Sequence, residues 1–285
     1  MSDIISYLFE TNAIRFCEEN KPFFLTSGGI SPYFVNTHFL YGDEKHATEF
    51  LSYIDTLLTD RINLPKKVFD KINVQYENNK IFKYTIDTML KAIKSNVNVD
   101  EIDYISGGER RDWYFSNMIA YLLKKPHLTL FKDMEAFVSP YDFSSTNKIT
   151  DLEGKTVLNA SDLVTAATNY VRSWIPAIKQ LNGKLLWTCY VVDRKQGGTE
   201  ILENAGIKTI PLAFVDTSLF EKAFELKIIN QGQLDMLKGF YDDPYATMRN
   251  FLLNHPEFIE NALNSTDERT LKRAKLLVDN NLYNL

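Results

Sequence analysis

Residues 157–168 read VLNASDLVTAAT. An apolar run rises to the polar pair Ser161 and Asp162, then passes through small residues into a helix-like pattern. That order of residue types suits an anion held beside a sugar. A helix N-terminus offers unpaired N–H groups and the positive end of its dipole. At Thr165, Ala166, Ala167 and Thr168 the small side chains let the backbone approach a phosphate, and the two hydroxyls add donors. Asp162, at the strand end, can accept hydrogen bonds from sugar hydroxyls, with Ser161 as a weaker neutral partner. The same stretch also reads as an ordinary buried strand turning into a core helix.

Two further loops carry chemistry-bearing residues. In GGERRD, residues 107–112, Gly107 and Gly108 allow close backbone approach, and Arg110 and Arg111 supply guanidinium charge ahead of a helix. This is a second anion cradle, or else a solvated turn. In DRKQGG, residues 193–198, Arg194 follows the acid that ends a continuous apolar run. A fourth stretch, KPFFLTSGGISPYFVNT at 21–37, sets a Gly pair between aromatic strands and reads most simply as a hairpin.

These loops need a frame. Short strands are expected at 23–25, 33–35, 104–106, 127–131, 185–193 and 207–215, alternating with helices from 43, over 81–94, over 113–123 and from 170. The unbroken apolarity of 185–193 marks a strand covered on both faces. The alternation predicts an α/β fold, a mostly parallel sheet flanked by helices, with ligand groups at the carboxyl ends of the strands. An opening helix is expected over 3–19, irregular chain over 62–80, and a polar, mobile lid over 132–150. Pro176 should kink or end its helix. From Thr217 onward only short amphipathic helices are legible. The domains expected are 1–216, with an insertion near 60–100, and a helical extension over 217–285.

Composition narrows the classes. The chain has 285 residues, is 45% hydrophobic and 24% charged, and carries a formal net charge of −5, as a soluble globular protein would. Its basic residues are scattered, so no nucleic-acid footprint is expected. No apolar run is long enough to span a bilayer and no basic secretion signal opens the chain, so no membrane role is expected. Two distant cysteines, Cys17 and Cys189, suit a reducing cytoplasm. Four histidines show no metal-ligand spacing.

Taken together, the loops resemble those of the orotate phosphoribosyltransferase family, of the type I phosphoribosyltransferase fold. The likeness covers roughly residues 1–215. Ser27-Gly28, Ser31-Pro32-Tyr33 and Phe34 match the family's N-terminal segment, with Thr26 where the family has lysine. GGERRDW falls at the pyrophosphate loop, and Asp193-Arg194 matches the family's Asp-Arg. In the phosphoribosyl pyrophosphate (PRPP) motif Ser161 replaces one of two adjacent acids, and Ala167 replaces a glycine. On the mobile loop Lys132 aligns, but Glu135 stands at the next lysine position.

The resemblance implies a transferase that moves phosphoribosyl from PRPP to a ring nitrogen of orotate or a related acidic base. Thr165–Thr168 would hold the 5-phosphate and Asp162 the ribose. Gly107, Gly108, Arg110 and Arg111 would face the pyrophosphate, neutralised by Arg111, Lys132 and a Mg²⁺ chelated by the ligand. Phe34 would stack on the base and Arg194 would pair with its acidic substituent. A cytoplasmic homodimer is implied. The altered motif also fits a second class, a non-catalytic sensor of PRPP or a nucleotide.

Overall fold

Asp3 accepts the N–H of Ser6 and starts α1 (Ile4–Glu10). The helix expected through residue 19 stops here, because Asn12 at φ 56° turns the chain into β1 (Ile14–Phe16). Short strands β2 (Phe23–Phe24), β3 (Ile30–Ser31) and β4 (Tyr33–Val35) follow. A 3-10 turn over Thr37–Tyr41 then leads to α2 (Glu44–Leu57), capped by Asp43. The computed structural model describes residues 3–285, and these group into two units: 3–13 with 36–214, and 14–35 with 215–285. Among them no helix is long and apolar enough to cross a membrane.

In the first unit, residues expected to be irregular form α3 (Leu64–Asn78). Pro65 sits in its first turn, where a missing N–H breaks no bond. Val68, Phe69, Ile72 and Tyr76 are its buried stripe. Asn79 ends that helix and caps α4 (Lys80–Asn96) by accepting the N–H groups of Ile81 and Phe82 at 3.0 Å. The insertion near 60–100 therefore contains a helical hairpin. The remainder runs β5 (Tyr104–Gly108), α5 (Trp113–Leu123), β6 (His127–Leu130), β7 (Ala136–Ser139), β8 (Asn147–Lys148), β9 (Thr156–Val164), α6 (Ile175–Gln180), β10 (Lys184–Asp193), α7 (Gly198–Asn204) and β11 (Lys208–Phe214).

The sheet order is β11-β10-β9-β5-β6-β7-β8. β11 through β6 run parallel, and β7 and β8 add antiparallel at one edge. The α/β expectation holds. The chain leaves β5 for β6 on one side and returns as β9 on the other, so the winding reverses between β5 and β9. Connections then depart in opposite directions and leave a crevice beyond the strand ends. The β5–β9 ladder stops at Ser106 and Asn159, although both strands continue past it.

Residues 132–150 do not form the open lid that their polarity suggested. They fold as the β7–β8 edge hairpin. Arg61 bonds Asp133 and Glu135 at 2.6 Å each, Lys148 also bonds Glu135, and fully buried Phe143 stacks on Phe69 at 4.4 Å. The helical run does not end at Pro176, and its regular hydrogen bonding is interrupted just before it. Pro176 falls in the first turn of α6, after a π-helical turn over Tyr170–Trp174.

His127, the first residue of β6, is fully buried. Its Nε2 meets Ser116 Oγ at 2.9 Å and its Nδ1 meets Thr129 Oγ1 at 3.0 Å. Burial pushes its pKa down to about 3. The unfolded chain, with a histidine near 6.5, binds a proton that the folded state refuses. Stability present above about pH 6.5 is therefore lost as pH falls toward 3, by up to about 1.4 kcal/mol per pH unit from this group. His127→Gln should flatten that slope in urea melts run from pH 7 to pH 4. An unchanged slope would show that the ring takes no part.

The second unit joins the N-terminal strands to the tail, so the units do not divide at residue 216. Its helices are α8 (Thr217–Glu225), α9 (Gln231–Asp242), α10 (Pro244–Asn254), α11 (Pro256–Leu263) and α12 (Glu268–Asp279). Aromatic packing explains the grouping: the ring of Tyr33 lies 5.9 Å from Phe220 and 5.7 Å from Phe240. The Tyr283 hydroxyl accepts the Ile30 N–H at 3.0 Å.

Candidate functional site

In the first unit a cavity of about 470 Å³ is lined by Glu109–Asp112, by Lys132, by 162–170 and by Trp174. It lies beyond the ends of β5, β6 and β9, at the reversal of winding. Three stretches separated in sequence thus bring Arg110, Arg111, Lys132, Asp162 and Thr165–Thr168 to one space.

The 165–168 wall has the geometry of an anion cradle. Val171 N–H donates to Ala167 O at 3.0 Å, which opens the helix. The N–H groups just before it have no acceptor one turn back, as at any helix start. Ala167 takes φ 49°, a left-handed conformation that favours glycine. For alanine this costs about 1 kcal/mol. Gly198 holds the loop from behind: its N–H donates to Thr165 O at 2.9 Å. A Cβ there would lie 2.4 Å from that oxygen and 2.9 Å from Ala167 N. Of the two glycines in 193–198, Gly198 therefore backs the 165–168 loop.

Three acids and three bases share the cavity. Asp162 is 9% exposed, and its Oδ1 accepts the N–H of Leu163 at 2.7 Å. Burial raises its pKa, opposed by the nearby Arg111 charge. Asp112, 8% exposed, is raised well above the carboxylate range by burial and then by the charge of Asp162. Arg110 is paired with Asp55 of α2, whereas the Arg111 side chain makes no hydrogen bond or ion pair among the described residues. Lys132 is exposed, its Nζ 3.9 Å from Glu109. The cation available to a ligand is foremost Arg111.

Several expected contacts fall elsewhere. Ser161 faces away from the cavity, because neighbours on a strand point to opposite faces. Its Oγ meets the Tyr170 hydroxyl at 2.8 Å, in a buried network with Asn159 and Thr188. Gly107 and Gly108 belong to β5, not to an open loop. A Cβ on Gly107 would meet Ser116 Oγ at 2.1 Å, and one on Gly108 would meet Trp174 at 2.1 Å. The Gly108 N–H is taken by Asp112 at 3.0 Å. These glycines serve packing and donate nothing free to an anion. Arg194 is half-buried and not among the lining residues. Its N–H donates at 2.9 Å to the carbonyl of Val164, which is one of them. Phe34 is on β4 of the second unit, its ring 4.7 Å from Phe23.

Sequence reasoning assigned no role to Asp112, Thr37 or His38. The buried Thr37 hydroxyl makes no hydrogen bond within 3.5 Å, yet lies near enough to Asp162 to favour its charged form. Buried His38 is held neutral, its pKa down to about 3 through burial and then the charges of Arg111 and Arg110. An Asp just before a helix reads as a cap, and Thr-His after a strand carries no motif. Only the folded chain reveals them.

No family model matches the chain. An adenine phosphoribosyltransferase from Brachyspira hyodysenteriae is 28% identical over 144 residues, which cover 46% of this chain and 82% of that protein. Among solved structures, the orotate phosphoribosyltransferase of Aeropyrum pernix aligns with a TM-score of 0.51 at 17% identity, covering 78% of this chain and 99% of its own. That of Francisella tularensis aligns at 0.53 and 18% identity, over 83% of this chain and 96% of its own. The UMP synthase of Leishmania donovani aligns at 0.57 and 16% identity, over 84% of this chain and 41% of its own. These likenesses show the type I phosphoribosyltransferase fold.

Proposed function

We propose that the cavity binds PRPP and that the protein is a phosphoribosyltransferase, with an acidic base such as orotate as acceptor. One observation carries this: Arg111, Lys132, Asp162 and Thr165–Thr168, from three separate stretches, line a single cavity at the switch point of the sheet. The 165–168 cradle takes the 5-phosphate and Asp162 the ribose hydroxyls. Arg111 and Lys132 take the pyrophosphate. The ring nitrogen attacks C1 as the C1–O bond to pyrophosphate breaks, through an oxocarbenium-like state. Such a displacement asks for positioning and charge more than for proton transfer.

Among the described residues no group of three or more His, Cys, Asp or Glu could hold a metal. A Mg²⁺ would therefore enter on the polyphosphate oxygens and supply charge neutralisation there. Arg194, next to the cavity wall through Val164, is the candidate partner for a carboxylate on the base. Phe34, a residue of the second unit, carries no part of this proposal.

The test is pyrophosphate release from PRPP and Mg²⁺ with a panel that includes orotate and adenine. Orotate-dependent release is expected, lost in Arg194→Ala. Release with adenine alone would remove the acidic-base assignment. A second reading, a PRPP-binding sensor without turnover, is favoured by the packed β7–β8 hairpin in place of a lid and by Ser161 turned inward. Tight PRPP binding with no release on any base would select it.

A further inference from the structure

We infer that Asp112 is a positioning residue: its carboxylate latches the splayed ends of β5 and β9 and thereby sets where Asp162 meets the sugar. The inference rests on the ribose-phosphate reading of the cavity.

An aspartate just before a helix ordinarily caps it, its side chain accepting an N–H of the first turn. Asp112 precedes α5 but makes no such bond. Its Oδ2 instead accepts the Gly108 N–H at 3.0 Å, and its Oδ1 accepts the Asp162 N–H at 3.2 Å. Those two amides belong to adjacent strands, beyond the point where their ladder ends. Without this carboxylate two backbone donors would stand buried and unpaired at the crevice, at a cost of about 1–3 kcal/mol each.

The consequence for the ligand follows from what each strand end carries. β5 leads directly into Glu109–Arg111, one wall of the cavity, and β9 carries Asp162, part of the other. One side chain spans both. Trp113 reinforces the β5 side, its indole N–H donating to Gly107 O at 2.9 Å. On the opposite side β9 stays paired with β10 through Val164, which holds the strand but leaves the Asp162 N–H to Asp112. Thr37 lies near its carboxyl without bonding it. The orientation of Asp162 therefore depends on Asp112, whose carboxyl reaches β9 from the turn between β5 and α5.

The test is Asp112→Asn in the full chain, which keeps the shape but leaves one acceptor for two N–H groups. In the ligand-free protein, amide hydrogen exchange at Gly108 or Asp162 should speed about tenfold. Ribose 5-phosphate, by calorimetry, should bind about tenfold more weakly, while inorganic phosphate should bind within about twofold of wild type. Adding Asp112→Asn to Asp162→Asn should cost nothing further, since both act through one contact.

Unchanged exchange would remove the latch. Equal losses for phosphate and ribose 5-phosphate, or additive losses in the double variant, would reduce Asp112 to a structural role and overturn the inference. If wild type binds neither ligand, the reading of the cavity fails, and the positioning claim with it. If wild type binds both and the variant binds both equally well, only the inference about Asp112 fails.

Discussion

Arg111→Ala is expected to lower kcat/KM for PRPP by about a hundredfold and to leave the fold intact. Deleting one preorganised charge or donor that faces developing negative charge typically costs about 3–4 kcal/mol in the barrier, and the half-exposure of this side chain argues for the lower end. Two details make the effect separable from misfolding. Arg111 has no hydrogen-bonded ion pair to orphan, and its charge disfavours protonation of His38 while favouring the ionised form of Asp162, so its removal eases one buried group and raises the pKa of the other. Thermal stability should stay near wild type while pyrophosphate affinity falls. Arg110→Ala is the contrast: that side chain is already committed to Asp55, so its loss should reduce pyrophosphate affinity much less. If the two variants weaken pyrophosphate equally, the cation assignment at the cavity is wrong.

The legible parts of this chain are those in which local pattern and tertiary role agree. VLNASDLVTAAT reads as strand, turn and helix, and the structure uses it as β9, one wall of the cavity and the start of the helix that follows. The apolar run at 185–193 is the inner strand β10, buried from Thr188 to Asp193 as its composition requires. Illegible parts fall where long-range packing overrides local pattern. Polar residues 132–150 look mobile in isolation, but Arg61, distant in sequence, pins them as a hairpin. Gly107 and Gly108 resemble a phosphate loop until Ser116 and Trp174 occupy the space a Cβ would need. Ser161 and Asp162 are adjacent in sequence yet face opposite sides of a sheet. Asp112 has no local signature at all, because its partners are backbone amides that only the sheet brings together.

Gly198→Ala carries the other large expected effect, and its cause is wholly steric. Gly198 does not need left-handed backbone, so alanine is locally permitted there. The added methyl, however, would lie 2.4 Å from Thr165 O, 2.6 Å from Val164 Cγ1 and 2.9 Å from Ala167 N. Two of those three atoms are backbone and cannot rotate away. The loop must move instead, and overpacking of this kind costs about 1–3 kcal/mol in stability. A shift near 1 Å in a positioning element costs on the order of a hundredfold in rate, and the cradle that moves is the one assigned to the 5-phosphate. The neighbouring Gly197 supplies the control. It sits at φ 83° with nothing within 4 Å of a Cβ, so Gly197→Ala should cost about 1–2 kcal/mol of backbone strain without displacing residues 165–168. Ribose 5-phosphate affinity should fall about a hundredfold in Gly198→Ala and stay near wild type in Gly197→Ala, although both variants melt earlier. Should the two lose affinity in proportion to their loss of stability, the phosphate does not rest on that loop.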